Sequence, residues 1–127
     1  MHARLVQQLI AHVKRVHVPE RGLLVLADHE SFGRNSPPRI NGFTPDLFAS
    51  DLPATFEILG EAKTMGDLQT DRSHRQIAAF LDYLAVRASS RFYLCVPPLS
   101  KVRATSILRS LMRPEHESVL VEVLDGT

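Results

Sequence analysis

The sequence predicts a mixed α/β domain, a central sheet flanked by helices. Two observations carry this. Apolar residues recur at helical spacing in three separate stretches, and short apolar or alternating runs bounded by Gly, Pro, Asn and Asp lie between them. The two kinds follow one another in the order α-β-β-β-α-β-α-β, which suits a sheet layered between helices. At 127 residues the chain is read as one domain, 1–127, long enough to bury a core without disulfide or metal staples.

The first helix is read over residues 2 to 17, where Leu5, Val6, Leu9, Ile10, Val13 and Val16 share a face, ending before Pro19. Gly22 then opens LLVLA, a strand running to Asp28. HESFGRNSPPRING, residues 29 to 42, reads as a long loop, and loops of that length are usually functional or mobile. FTPDLFA and ATFEILGEAKT form two strands around the turn signal Ser50-Asp51-Leu52-Pro53. In the second of them Phe56, Ile58, Gly60 and Ala62 point one way and Glu57, Leu59, Glu61 and Lys63 the other. MGDLQTDRS reads as a loop into a helix with Ile77, Phe80, Leu81 and Leu84 on its apolar stripe. RFYLCVPP is a strand stopped by two prolines. KVRATSILRSLMR is a helix with Ala104, Ile107, Leu108 and Leu111 inward, ended by Pro114. SVLVEVL is the last strand.

Composition excludes several classes. Hydrophobic residues make up 44% and charged ones 23%, ordinary for a globular protein. No apolar run approaches the roughly 18 residues needed to cross a bilayer, and His12, Lys14, Arg15 and His17 interrupt any signal-like block near the start. The single cysteine, Cys95, sits in FYLCV as a small hydrophobe, and one thiol cannot close an internal disulfide; a reducing cytoplasm is the expected location. The six histidines show no metal-binding spacing, His29 and His74 being the two nearest to other candidates. Neither a P-loop nor a dinucleotide-binding glycine motif occurs.

The net charge is only +1, yet twelve of the fifteen basic residues are Arg, the side chain suited to bidentate phosphate contacts. Arg34 and Arg39 share the long loop, and Arg72 and Arg75 lie near the start of the second long helix. Lys101, Arg103, Arg109 and Arg113 gather late in the chain. Such charge is compatible with a nucleic-acid partner without demanding one; for any single Arg, solvated surface charge is the plainer reading.

The chemistry-bearing stretch is GFTPDLFASDLPATFEILGEAKT, residues 42 to 64. It places Pro45-Asp46 on one predicted strand and Glu61-Ala62-Lys63 on the next. Two acids on neighbouring strands suit a hard cation such as Mg²⁺, which binds through one or two carboxylates and keeps several waters. Lys63 falls on the same face as Glu61, where it would orient an attacking water and stabilise developing charge. The plain reading is a solvated Glu and Lys on a strand face and a Pro-Asp that starts a turn.

This arrangement resembles the PD-(D/E)XK nuclease superfamily over residues 2 to about 97. Its restriction-endonuclease-like core is α-β-β-β-α-β, with Pro-Asp on the second strand and Glu-x-Lys on the third. The style is closest to Holliday-junction resolvase and VRR-NUC domains, which carry a Gln on the following helix; Gln76 in DRSHRQIAAFLDYL looks like that position. The resemblance implies a metal-dependent nuclease acting on DNA, with Asp46, Glu61, Lys63 and Gln76 as catalytic residues. Mg²⁺, or Mn²⁺ as a substitute, would be held by Asp46, Glu61 and the carbonyl of Ala62. Arg34, Arg39, Arg72 and Arg75 would approach the nucleic acid, and a homodimer or a subunit of a larger complex is implied, with no membrane partner. Gln76 has an equal competing role, since Ser73-His74-Arg75-Gln76 fits a helix capping box and Asp71 is as good an N-cap. The chain also departs from the family. Its first helix holds no Asp or Glu, only Gln7 and Gln8, and neither Glu20 nor Asp28 takes the missing place. That leaves a one-metal site, and it keeps a second reading open: an inactive nuclease-fold module that binds nucleic acid or a protein.

Overall fold

The computed structural model describes residues 1–17, 22–51 and 53–126. Its elements are α1 (His2–Val16), β1 (Leu24–Ala27), β2 (Leu47–Ser50), β3 (Phe56–Ala62), α2 (Met65–Leu68), α3 (Asp71–Ala85), β4 (Ser89–Cys95), α4 (Lys101–Leu111) and β5 (Leu120–Leu124). The order expected from the sequence is present, with one extra single-turn helix. The five strands form one mixed sheet in the order β1-β2-β3-β4-β5. Strands β1, β2 and β3 pair antiparallel, and β3-β4 and β4-β5 pair parallel. The change follows from the connections: segments without a crossover helix, 28–46 and 51–55, return the chain antiparallel, whereas α3 and α4 are the crossovers that join the parallel neighbours.

Helices cover both faces, which is why β3 is buried at every position although its sequence alternates. Ile58 and Ala62 join Leu5, Val6, Leu9, Ile10 and Val13 of α1 in one apolar layer. Leu59 joins Ile77, Phe80, Leu81 and Leu84 of α3 and Leu108 of α4 in the other. Each fully buried Leu or Phe in these layers contributes about 1.5–3 kcal/mol of transfer free energy. Gly60 faces α1 at close range: a Cβ there would stand 2.7 Å from Leu9 Cδ2.

Several boundaries move from the sequence reading. The second strand begins at Leu47 rather than Phe43, so Pro45-Asp46 stands at its entrance instead of within it. MGDL, read as loop, is the helical turn α2, because the Thr64 side chain accepts the Asp67 N–H and caps it. Neither Ser73 nor Asp71 caps α3: Thr70 does, accepting the Ser73 N–H at 3.2 Å. The segment 29–42 is not structureless either. It holds a 3-10 turn at Glu30–Phe32, and Ile40 pairs with Phe43 in an isolated bridge. Pro19, Glu20 and Leu52, used in the sequence reading, lie outside the described residues. No described helix is long and apolar enough to cross a membrane.

Candidate functional site

Asp46 enters β2 directly opposite Glu61 of β3, one step beyond the last paired residues, Leu47 and Gly60. There the ladder changes partners. The Asp46 N–H donates to Glu61 Oε1 at 3.0 Å, and the Ala62 N–H donates to Asp46 Oδ2 at 2.8 Å. Each carboxylate thus accepts from the other strand's backbone, and the two side chains are held by the sheet itself. The preceding Pro45 has no N–H to compete. Both acids are deeply buried, Asp46 being 7% and Glu61 2% exposed.

Lys63 is one residue past β3, yet its N–H donates to the Cys95 carbonyl at 3.0 Å and continues the parallel ladder. That keeps its side chain on the Glu61 face. The ammonium lies 3.4 Å from Glu61 Oε2 and donates to Gln76 Oε1 at 2.7 Å. Gln76 is buried on the second turn of α3. Because Thr70 starts that helix, Gln76 is too far along it to cap anything, and its amide is directed to Lys63. The four residues Asp46, Glu61, Lys63 and Gln76 therefore form one connected polar group between β2, β3 and α3.

The electrostatics are set by desolvation. Burial raises the Asp46 carboxyl above its usual range, against the lowering pull of the Ala62 N–H, His2 and Lys63. Burial, and then the charge of Asp46, pushes Glu61 up to about 8, with Lys63 and the Asp46 N–H pulling the other way. Two acids that resist ionising together beside a single ammonium call for further positive charge. A hard divalent cation fits that donor set. Among the described residues no group of three or more His, Cys, Asp or Glu side chains is assembled for a metal.

His2 is a participant the sequence reading missed. From the first turn of α1 its Nε2–H donates to Asp46 Oδ2 at 3.3 Å, in the region where the family's helix acid was sought. No local motif marks it; only the packing of α1 brings it there. Gln7 and Gln8 do not take the helix-acid place: Gln7 is exposed, and Gln8 lies near Cys95, its Oε1 3.7 Å from the thiol sulfur. The two histidines singled out from the sequence have local roles. His29 accepts the Ser31 N–H at the 3-10 turn, and the His74 ring donates to the Leu68 carbonyl at 2.9 Å.

The four arginines are all exposed. The Arg72 guanidinium lies 5.6 Å from the Phe43 ring centre, joining the start of α3 to the segment after the long loop. Asn41 strengthens that junction by donating to the Ala79 carbonyl at 3.0 Å. Arg34 and Arg39 are carried between the 3-10 turn and the Ile40–Phe43 bridge.

No protein-family model matches the chain, and no curated relative matches it. A solved structure does. SfsA of Pyrococcus furiosus, in complex with Ca²⁺, superposes with a TM-score of 0.52 at 12% identity, covering 94% of this chain and 56% of that one. The likeness is one of fold. The chain spans little more than half the length of that neighbour, and the shared part is the mixed α/β layer architecture.

Proposed function

We propose that the chain is a PD-(D/E)XK-type nuclease domain that hydrolyses phosphodiester bonds in DNA with a bound Mg²⁺ or Mn²⁺. The observation that carries this reading is the interlocked pair Asp46 and Glu61 with Lys63 braced between Glu61 and Gln76. A structural likeness to a protein solved with Ca²⁺ supports a divalent cation.

In this reading Asp46 and Glu61, with the Ala62 carbonyl, hold the cation. When bound it would neutralise charge at the scissile phosphate and make a water nucleophilic near neutral pH. Lys63, donating to Gln76, is fixed for a single direction of approach and stabilises the negative charge that develops on the phosphate. Gln76 keeps the ammonium from collapsing fully onto Glu61. The nucleic acid approaches from the side of Arg72 and Arg75, at the exposed start of α3. The cavity of about 300 Å³ lined by His2, Ala3, Asp28, His29 and Glu30 carries two acids, which repel phosphate. Arg34 and Arg39 extend the basic approach, and a homodimer or a larger complex supplies the rest of the substrate contact.

A second reading is favoured by one observation: α1 has no acid in its first turn, so the donor set is minimal. It is a nuclease-fold module that binds nucleic acid or a protein partner without cutting.

Cleavage of labelled duplex, single-stranded and four-way-junction DNA, with and without Mg²⁺ or Mn²⁺, separates the two. Metal-dependent cutting by the parent and none by Lys63→Ala is expected. No cutting of any substrate by a folded protein moves the assignment to the binding module.

A further inference from the structure

The turn between β4 and α4 carries a leucine with no packing role. Pro97, Pro98, Leu99 and Ser100 form it, closed by the Ser100 N–H donating to the Pro97 carbonyl at 3.2 Å. Its third residue, Leu99, has a φ of 69°, a left-handed conformation that suits Gly or Asn at that place and is strained for a leucine. Packing does not offset the strain, because Leu99 is fully exposed. Strain of this kind clusters at binding and catalytic sites. Val102, three residues on, is 86% exposed. Lys101 and Arg103 on either side of it are exposed too, and the α4 sequence KVRATSILRSL contains no acid. The turn lies close to the acidic pair. The Cys95 carbonyl accepts the Lys63 N–H, and Leu99 follows Cys95 by four positions, a reach of at most about 14 Å. Ala104 and Leu108 of α4 share one apolar layer with Phe80 and Leu81 of α3. Both helices start where the parallel strands β3 and β4 end, so Lys101 and Arg103 stand at the same end of that layer as Arg72 and Arg75.

We propose that Leu99 is a wedge that enters the base stack of bound DNA beside the cleavage site, with Lys101 and Arg103 on the flanking phosphates. The inference rests on the nuclease reading and adds to it the residue that tells one base step from another. An exposed leucine flanked by cations matches a stack of apolar bases flanked by phosphates, and apolar side chains inserted between base steps unstack and kink a duplex. The two prolines hold the tip in place before binding, which spares the ordering cost a flexible loop would add. Unstacking costs least where pairing is already interrupted. The wedge therefore favours a duplex with a mispaired step over a continuous one. The two cations position the backbone and carry no sequence preference of their own.

The test uses the full chain in the Lys63→Ala background, so that DNA stays uncut, with Mn²⁺ present. Two short duplexes differ at one step, fully paired or mismatched, and each carries 2-aminopurine beside it to report unstacking by fluorescence. The mismatched duplex is expected to bind at least roughly tenfold tighter, the ratio a reduced unstacking cost supplies, with a rise in fluorescence on binding. Leu99→Gly should bring the two duplexes level and remove the rise. Its melting temperature should not fall, because Gly accepts the φ of the turn. Lys101→Ala with Arg103→Ala should weaken both duplexes equally and lower the slope of log K against log salt by about 1.8. Equal binding of the two duplexes before Leu99 is changed, or an unchanged ratio in Leu99→Gly, overturns the wedge and leaves the nuclease reading standing. No binding of either duplex overturns the wedge as well, and cleavage by the chain with Lys63 intact then decides whether the nuclease reading falls with it. A change in self-association with Leu99→Gly, read by sedimentation equilibrium, makes the tip a contact between copies and overturns the proposal. So does loss of adsorption to phosphatidylserine vesicles in place of the mismatch preference.

Discussion

Lys63 on the strand and Gln76 on the helix are joined by a 2.7 Å hydrogen bond across the gap between β3 and α3. The ammonium is thereby shared between an amide and a carboxylate instead of pairing with Glu61 alone. Removing the amide changes what Lys63 can do without touching either acid. Gln76→Leu should keep the fold at a cost of about 1–3 kcal/mol, since it strips a partner from a largely buried charge. On the proposed nuclease reading it should lower the cleavage rate roughly 10²-fold, in the range for a lost transition-state donor. Chemical denaturation and single-turnover cleavage read the two effects separately.

The acidic pair makes stability depend on pH. Glu61 is raised from 4.5 to about 8, and Asp46 is raised as well. The folded state therefore holds protons that the unfolded state has released. The pair's contribution to stability without metal is fully present below the ordinary carboxylate range and is lost as pH rises toward 8, an amount on the order of a few kcal/mol. Melting temperatures of chelator-treated protein across pH 5 to about 8.5 should show that decline, and Glu61→Gln should flatten it. A rising profile for the parent would mean that the two acids are ionised together without strain.

A divalent cation should reverse this decline. Binding only to the folded protein stabilises it by mass action, about 2.7 kcal/mol at a hundredfold excess over the dissociation constant. The shift in melting temperature with Mn²⁺ should be large near pH 8 and small near pH 5, where protons compete for the carboxylates. Asp46→Asn should lose most of it. An equal shift in that variant would place the cation elsewhere.

Gly60 lets α1 lie close on the sheet. A Cβ there would stand 2.7 Å from Leu9 Cδ2 and 3.0 Å from Cδ1, and Leu9 is fully buried, with no open side to turn toward. Gly60→Ala should destabilise by about 1–3 kcal/mol through overpacking. Adding Leu9→Val should recover part of that loss, a coupling that a double-mutant cycle measures directly.

Cys95 should be inert in the folded protein. It is fully buried, and burial pushes its thiol up to about 11, so little thiolate exists near neutral pH. Alkylation at pH 7.5 should proceed only at the rate of unfolding, followed by mass spectrometry with and without denaturant. Rapid modification of native protein would show that the layer under α1 opens readily.

The sheet and the long helices were legible because their signals are local: the stripe in Leu5, Leu9 and Val13, the alternation through β3, the prolines after Cys95. The spacing of Pro45-Asp46 and Glu61-Ala62-Lys63 pointed to two acids facing each other across neighbouring strands, although Asp46 stands at the entrance of β2 and not within it. Helix starts were less legible. Thr70, Asp71 and Ser73 are all of cap-forming type, and in the fold Thr70 takes the position, accepting the Ser73 N–H. That choice took Gln76 out of any capping role, a matter the residues alone left even. His2 could not be read at all, because its contact with Asp46 spans 44 positions and depends on how α1 crosses the sheet.

The switch of strand direction at β3 governs when the site comes into being. Asp46 reaches β3 through an antiparallel turn that closes quickly, since only a few residues separate β2 from β3. Gln76 arrives on a crossover helix, whose position is secured only when β4 pairs on the far side. Short-range closure precedes long-range parallel pairing in the usual kinetic order. During synthesis, a chain that has emerged only through β3 already holds its two acids face to face but has no brace for Lys63. Assembly of the complete group is then a late event, tied to the downstream half of the chain.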